Sequence, residues 1–156
     1  TGSFSDSLTQ PDIFPDVLES GTLNVPGIVG LGKAVQYIID TGISNIFLKK
    51  QQLLRMLMEG IEKESNITVY SPIPEANSGI LAFNIENMDS SEVGYLLDKR
   101  FGVCVRSGLH CAPLAHRSLG TRDRGMVRIS PGFFNDENEI DLTVKALQGI
   151  ARGSYR

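Results

Sequence analysis

Cysteine is scarce in this chain. The two present, Cys104 and Cys111, are too few for the disulfide framework that staples small secreted domains. Long apolar runs are missing as well: no stretch of eighteen apolar residues occurs, and no short apolar segment carries signal-like flanks. Together these absences favour a reducing, cytoplasmic setting. Metal-binding spacing is also lacking. Cys104, His110, Cys111 and His116 are of ligating types, but their pairs do not have the usual knuckle spacing, and Cys104 reads as an inward-facing strand residue. No metal is expected. Neither sign of charge dominates, with 15 Lys+Arg against 18 Asp+Glu, which argues against general binding of nucleic acid through phosphate neutralisation. There is no internal repeat and no low-complexity linker.

What is present suits one folded domain: 156 residues, 41% of them hydrophobic, can supply a continuous core. The charge is unevenly spread. Lys99, Arg100, Arg106, Arg117, Arg122, Arg124 and Arg128 face a single acid, Asp123, within one segment that also holds both histidines. Arg117, Arg122 and Arg124 sit among turn residues and are as readily a solvated surface as a functional one. Arg106 and Arg128 differ, because each alternates with apolar neighbours in a strand-like run, where an unpaired cation would be costly.

The periodicity predicts two helices, two strands, a helix, a strand, a short helix, a strand and a final helix. Residues 1–25 read as an extended loop. Pro26 opens a helix whose apolar positions are Ile28, Leu31, Val35 and Ile38 and whose end Gly42 can cap. A longer helix is expected from Ser44 to Glu64, burying Phe47, Leu54, Leu57 or Met58, and Ile61. Strands follow at Ile67–Tyr70 and Gly79–Ile85. Asp89 with Glu92 matches a capping box for a helix burying Val93, Leu96, Leu97 and Phe101. Val103–Arg106 is read as a strand, Pro113–Leu119 as a short helix and Met126–Ser130 as a strand. Asp136 with Glu139 forms a second possible capping box, before a face of Ile140, Val144, Leu147 and Ile150. This order predicts an α+β fold of two layers, a mostly antiparallel sheet of about four strands covered on one face by helices. Residues 26–152 would form a small domain with its preceding helices, and 153–156 a tail.

The densest chemistry lies in Arg106-Ser-Gly-Leu-His-Cys-Ala-Pro113. A thiol reacts through its thiolate, which neighbouring cations or a helix N-terminus favour. Cys111 has Arg106 and His110 before it and a possible helix start just after, while Gly108 gives the loop freedom to move. Arg128 can hold a carboxylate in a bidentate pair, which would suit a small amino acid or keto acid. A structural ion pair with Glu139 or Asp141 explains the same residue equally well.

Three further stretches accompany that loop: Leu119-Gly-Thr121, Val127-Arg-Ile-Ser-Pro-Gly-Phe-Phe-Asn135 and Glu139-Ile-Asp141. With it they resemble the C-terminal portion of the cysteine desulfurases, pyridoxal-phosphate enzymes of the class V aminotransferase group. Glu19-Ser-Gly-Thr-Leu-Asn-Val-Pro-Gly-Ile28 resembles the same family's Gly-Thr-x-Asn segment, and the likeness runs from about residue 1 to residue 151. The resemblance implies the small C-terminal domain of a fold type I enzyme, with Cys111 as the catalytic cysteine that receives substrate sulfur as a persulfide and His110 beside it. It implies that Arg128 clamps the substrate carboxylate and that Arg106 assists at the same end. Thr22 would reach the cofactor phosphate of the neighbouring subunit in a homodimer, and Gly2 would belong to a glycine-rich loop of similar role. Leu109 stands where many members have a second histidine.

Pyridoxal chemistry also needs a lysine for the Schiff base. None of Lys33, Lys49, Lys50, Lys63, Lys99 and Lys145 stands in the family's histidine-lysine context, so that lysine is expected in an N-terminal domain upstream, and the chain alone is expected to be inactive. The implied substrate is L-cysteine, with alanine released and a sulfur acceptor or iron-sulfur scaffold as partner. Selenocysteine lyase and another class V aminotransferase are the alternative enzymes. A sulfur-carrier or docking module is the non-enzymatic alternative; it would need Cys111 but not Arg128.

Overall fold

The computed structural model describes residues 6–19 and 21–154, and it divides into two compact units, Thr1–Gly42 and Ile43–Arg156. In the first unit, one 3-10 turn at Asp16–Leu18 precedes helix α1, Val25–Thr41. The start of α1 is set by side-chain chemistry: the Asn24 side chain accepts from the Gly27 N–H at 3.1 Å, and Pro26 occupies the first turn, where its missing N–H is no loss. Gly42 ends it at φ 83°. The expected apolar face of Ile28, Leu31, Val35 and Ile38 stays exposed.

The second unit is an α+β sandwich of two layers. Its sheet has the order β1-β2-β4-β3, every neighbouring pair antiparallel, with β1 at Ile67–Val69, β2 at Leu81–Ile85, β3 at Arg106–Gly108 and β4 at Met126–Ile129. Helices α2 (Ile43–Ile61), α3 (Ser90–Phe101) and α5 (Glu137–Ala151) supply the core on one face, and α4 (Pro113–Ser118) lies between β3 and β4 in the chain. The core joins Leu53, Leu54, Leu57 and Ile61 of α2 to Leu81, Phe83 and Ile85 of β2, Val93, Leu96 and Leu97 of α3, Val127 and Ile129 of β4, and Ile140, Leu147 and Ile150 of α5. Each such side chain contributes about 1.5–3 kcal/mol by leaving water.

Several boundaries differ from those the sequence predicts. Strand β2 begins at Leu81 rather than Gly79, because the Asn77 side chain accepts from the N–H groups of Gly79 and Ile80 at 3.0 and 2.8 Å and closes a turn there. Helix α2 stops at Ile61. Its Phe47 is exposed, as is Phe101 of α3. Asp89 does cap α3 but makes no side-chain bond, whereas Asp136 and Glu139 form a complete reciprocal capping box on α5.

The strand expected at Val103–Arg106 is shifted. Gly102 closes α3 at φ 66°, and the Val103 N–H donates back to the Leu97 carbonyl at 2.9 Å, so residues 103–105 are spent leaving the helix. Val103 and Val105 pack against the core, while Cys104, expected inside, is exposed. With an alternating chain the same parity carries Arg106 away from the core.

Candidate active site

Strand alternation sets the site. On β2 and β4 the residues Leu81, Phe83, Val127 and Ile129 face the helices, so Ala82 and Arg128, which pair across the sheet, face the other way. Arg106 on β3 is paired with Arg128 in turn. Ala82, Arg128 and Arg106 thus form one row on the sheet face away from the core. Two like charges directly opposite each other are unfavourable unless something neutralises them. Among the described residues no carboxylate does. The ion pairs are Arg55–Glu75, Lys99–Asp98 and Arg152–Glu64, and the buried Nε of Arg128 has no hydrogen-bond partner. Glu139, a candidate partner for Arg128 in the sequence, is taken up by the cap of α5 and by Asn135.

Cys111 is brought to this row by a tight turn. Gly108 at φ 100° ends β3, and two non-glycine residues follow in the left-handed region, His110 at φ 53° and Cys111 at φ 58°. That conformation costs about 1–2 kcal/mol per residue. The Ala112 N–H donates to the Leu109 carbonyl at 2.9 Å, and the Arg106 guanidinium Nη2 lies 3.5 Å from the Cys111 sulfur as its donor. Cys111 is exposed and open to attack by or on a ligand.

His110 is half-buried. Its Nε2 is 3.0 Å from the Met126 carbonyl, and since a carbonyl only accepts, Nε2 carries the hydrogen and Nδ1, buried without a partner, is the lone-pair nitrogen. Burial lowers its pKa from the ordinary 6.5, the Met126 bond opposes the shift, and the charges of Arg128, His116 and Arg106 add to it. The lowered pKa favours the neutral ring at pH 7.

The hairpin under this loop depends on Gly125. It has φ 65°, and a Cβ there would stand 2.8 Å from both the Gly108 Cα and the Ser90 Oγ. Ser90 Oγ donates to the Arg124 carbonyl at 2.7 Å, and the buried Asn84 donates to the Gly125 carbonyl at 3.0 Å. Arg124, readable from sequence as a solvated cation, donates to the carbonyls of Ile85 and Met88, each at 2.9 Å.

The structure therefore gathers Arg106, His110, Cys111 and Arg128 at one end of the second unit. Thr22 lies in the first unit and is exposed, and Gly2 lies outside the described residues. Sequence reasoning missed Asn84 and Gly125, and it noted His116 only as a ligating type and Thr121 only within a family-like stretch, without pairing them. Asn84 had a faint signal, a polar side chain at the same parity as Ala82 in an otherwise apolar strand; Gly125 had none.

Comparison with known proteins matches residues 4–143 to the family Aminotransferase class-V. The chain belongs to the class-V aminotransferase family. A probable cysteine desulfurase of Methanothermobacter thermautotrophicus is 38% identical over 139 residues, covering 88% of this chain and 34% of that protein. Among solved structures, the apo cysteine desulfurase of Thermococcus onnurineus NA1 superposes with a TM-score of 0.81 at 28% identity, over 89% of this chain and 34% of its own. The cysteine desulfurase CsdA of Escherichia coli, in an S-sulfonic acid form, gives 0.77 at 26% identity, over 91% and 34%. This class-V chain thus spans about a third of the length of the relatives it matches.

Class-V aminotransferases are generally pyridoxal-phosphate enzymes, and the residues present fit one end of such a site. The unpartnered Arg128 Nε and the facing Arg106 suit the carboxylate of an amino acid. The covalent lysine anchor is another matter: in the second unit, Lys49, Lys50, Lys99 and Lys145 belong to α2, α3 and α5, and Lys63 follows α2, none of them on the strands that carry Arg106 and Arg128.

Proposed function

We propose that the native polypeptide carrying this sequence is a cysteine desulfurase. The observation that carries it is the pair of facing guanidinium groups, without an acidic partner among the described residues, beside a thiol that one of them already contacts. Arg128, from its fixed strand, holds the carboxylate of L-cysteine through its planar fork. Arg106 adds charge at the same end and holds the Cys111 sulfur as acceptor. Cys111 attacks the substrate sulfur; a new S–S bond forms as the substrate C–S bond breaks, its electron pair stays on carbon, and a proton converts that carbon to the methyl group of alanine. Cys111 ends as a persulfide and no external oxidant is consumed.

Pyridoxal phosphate, when bound, supplies the electron sink that makes the C–S bond labile, with its lysine anchor outside this stretch and Thr22 donating to the phosphate, across a homodimer as in the family. His110, neutral with a free Nδ1 lone pair, serves as proton acceptor near Cys111. Sulfur then passes to an acceptor protein in a cytoplasmic setting. A sulfur carrier would need Cys111 alone, and the unpartnered Arg128 speaks for substrate binding instead.

The test is to supply the native polypeptide with pyridoxal phosphate and L-cysteine. Alanine and a persulfide on Cys111 are expected in equal amounts; a folded, cofactor-loaded protein that yields neither would overturn the proposal.

A further inference from the structure

Among the described residues of the second unit, His116 is the most buried ionisable side chain, at 1% exposure, and the proposed chemistry does not use it. An imidazole is costly to bury unless its nitrogens are bonded, and here only one is. Nδ1 lies 2.9 Å from Thr121 Oγ1, while Nε2 has no partner. Thr121 is itself 3% exposed. Its N–H donates to the His116 carbonyl at 2.9 Å, and its own carbonyl accepts from the Gly125 N–H at 2.8 Å. Backbone and side chain thus clamp α4 to the turn that opens β4. An aliphatic side chain would fill this space without an orphaned nitrogen. What the imidazole adds is a face stacked on His110, with ring centroids 5.7 Å apart and planes at 30°.

The stack matters because of what it backs. His110 and Cys111 are consecutive non-glycine residues with positive φ, a conformation that persists only when its surroundings hold it. On the ring of His110 two contacts do so, the Met126 carbonyl at its edge and His116 on its face. Of the charged groups acting on this ring, Arg106 comes from β3 and Arg128 from β4, and neither hydrogen-bonds it.

We infer that His116, held by Thr121, is a positioning residue: its ring backs the His110 imidazole against Met126 and so keeps Cys111 in the left-handed conformation that sets its sulfur beside Arg106. The inference rests on Cys111 being the working thiol, but its test does not need desulfurase turnover.

In the native polypeptide, alkylation by iodoacetamide at pH 7 is followed separately at Cys111 and Cys104 by peptide mass spectrometry, and nitrogen NMR reads the tautomer of His110. Thr121→Val should slow alkylation of Cys111 by about five- to tenfold, as the sulfur leaves its fixed position beside Arg106, leave Cys104 unchanged and release His110 from its Nε2–H form. Thr121→Ser, which retains the hydroxyl, should keep both wild-type readouts. His116→Leu, filling the volume without a face to stack, should behave as Thr121→Val; if it does not fold, Thr121→Val decides alone. Wild-type Cys111 reactivity and His110 tautomer in folded Thr121→Val would overturn the inference, because His116 would then only fill space. Equal changes at both cysteines would overturn it too, as a general loosening. A native polypeptide without desulfurase activity would leave these readouts unmoved, so the two proposals fail separately.

Discussion

Arg128 combines a buried, unpartnered Nε with a cross-strand arginine, and its planar fork is what a lysine would lack. Arg128→Lys in the native polypeptide should lower kcat/KM for L-cysteine by about ten- to a hundred-fold, the worth of one charge-assisted bidentate contact, read as alanine formed. Arg128→Ala should go further, yet leave a persulfide that has been loaded chemically on Cys111. His110 offers a stability test with a definite sign. Its folded pKa is lowered from 6.5, first by burial, so the unfolded chain takes up the proton first as pH falls. The stability present above about pH 6.5 is therefore lost as pH drops through the unfolded value, and the loss levels off below the folded one. The unfolding midpoint should decline as pH falls through about 6.5 in the wild type, and His110→Gln should flatten that decline. A wild-type slope equal to that of the variant would mean that His110 is protonated alike in both states.

Among the elements, the β3–β4 hairpin and its loop matter most to the site, and Gly125 is its tightest point. Gly125→Ala meets both a left-handed backbone and two atoms at 2.8 Å, so a loss of about 1–2 kcal/mol from backbone strain plus about 1–3 kcal/mol from overpacking is expected, measured by urea unfolding. The same variant should raise hydrogen exchange at Gly108 and Met126, because the Cβ pushes on the partner strand. An unchanged midpoint would show that the hairpin adapts freely. The helices were largely legible from sequence, since spacing, proline at the first turn and reciprocal caps are local signals; the capping box at Asp136 and Glu139 is the plainest instance. Strand β3 was not. Its start depends on how α3 unwinds through Gly102 and Val103, and the parity of Cys104 follows from that exit rather than from alternation alone.

For the molecule as a whole, the exposed apolar residues are concentrated on helices. Ile28, Leu31, Val35 and Ile38 of α1 are 44–66% exposed, an apolar stripe of a kind that associates when uncovered. The 156-residue chain should therefore bind a hydrophobic dye and gain apparent mass with concentration in sedimentation experiments. Leu31→Lys with Val35→Glu should reduce both without moving the unfolding midpoint, since neither side chain belongs to the core. Equal dye binding by the variant would place the sticky surface elsewhere.

The sequence by itself determined the element order, the α+β class and the loop that carries Cys111, because turn chemistry and apolar spacing act between residues close in the chain. Only the tertiary structure decided that Arg106 faces Arg128 with no carboxylate between them among the described residues, that Asn84 holds Gly125, and that His116 is buried against His110. Those relations join residues on different strands and loops, and the register of the sheet, which sets them, depends on packing the whole core at once.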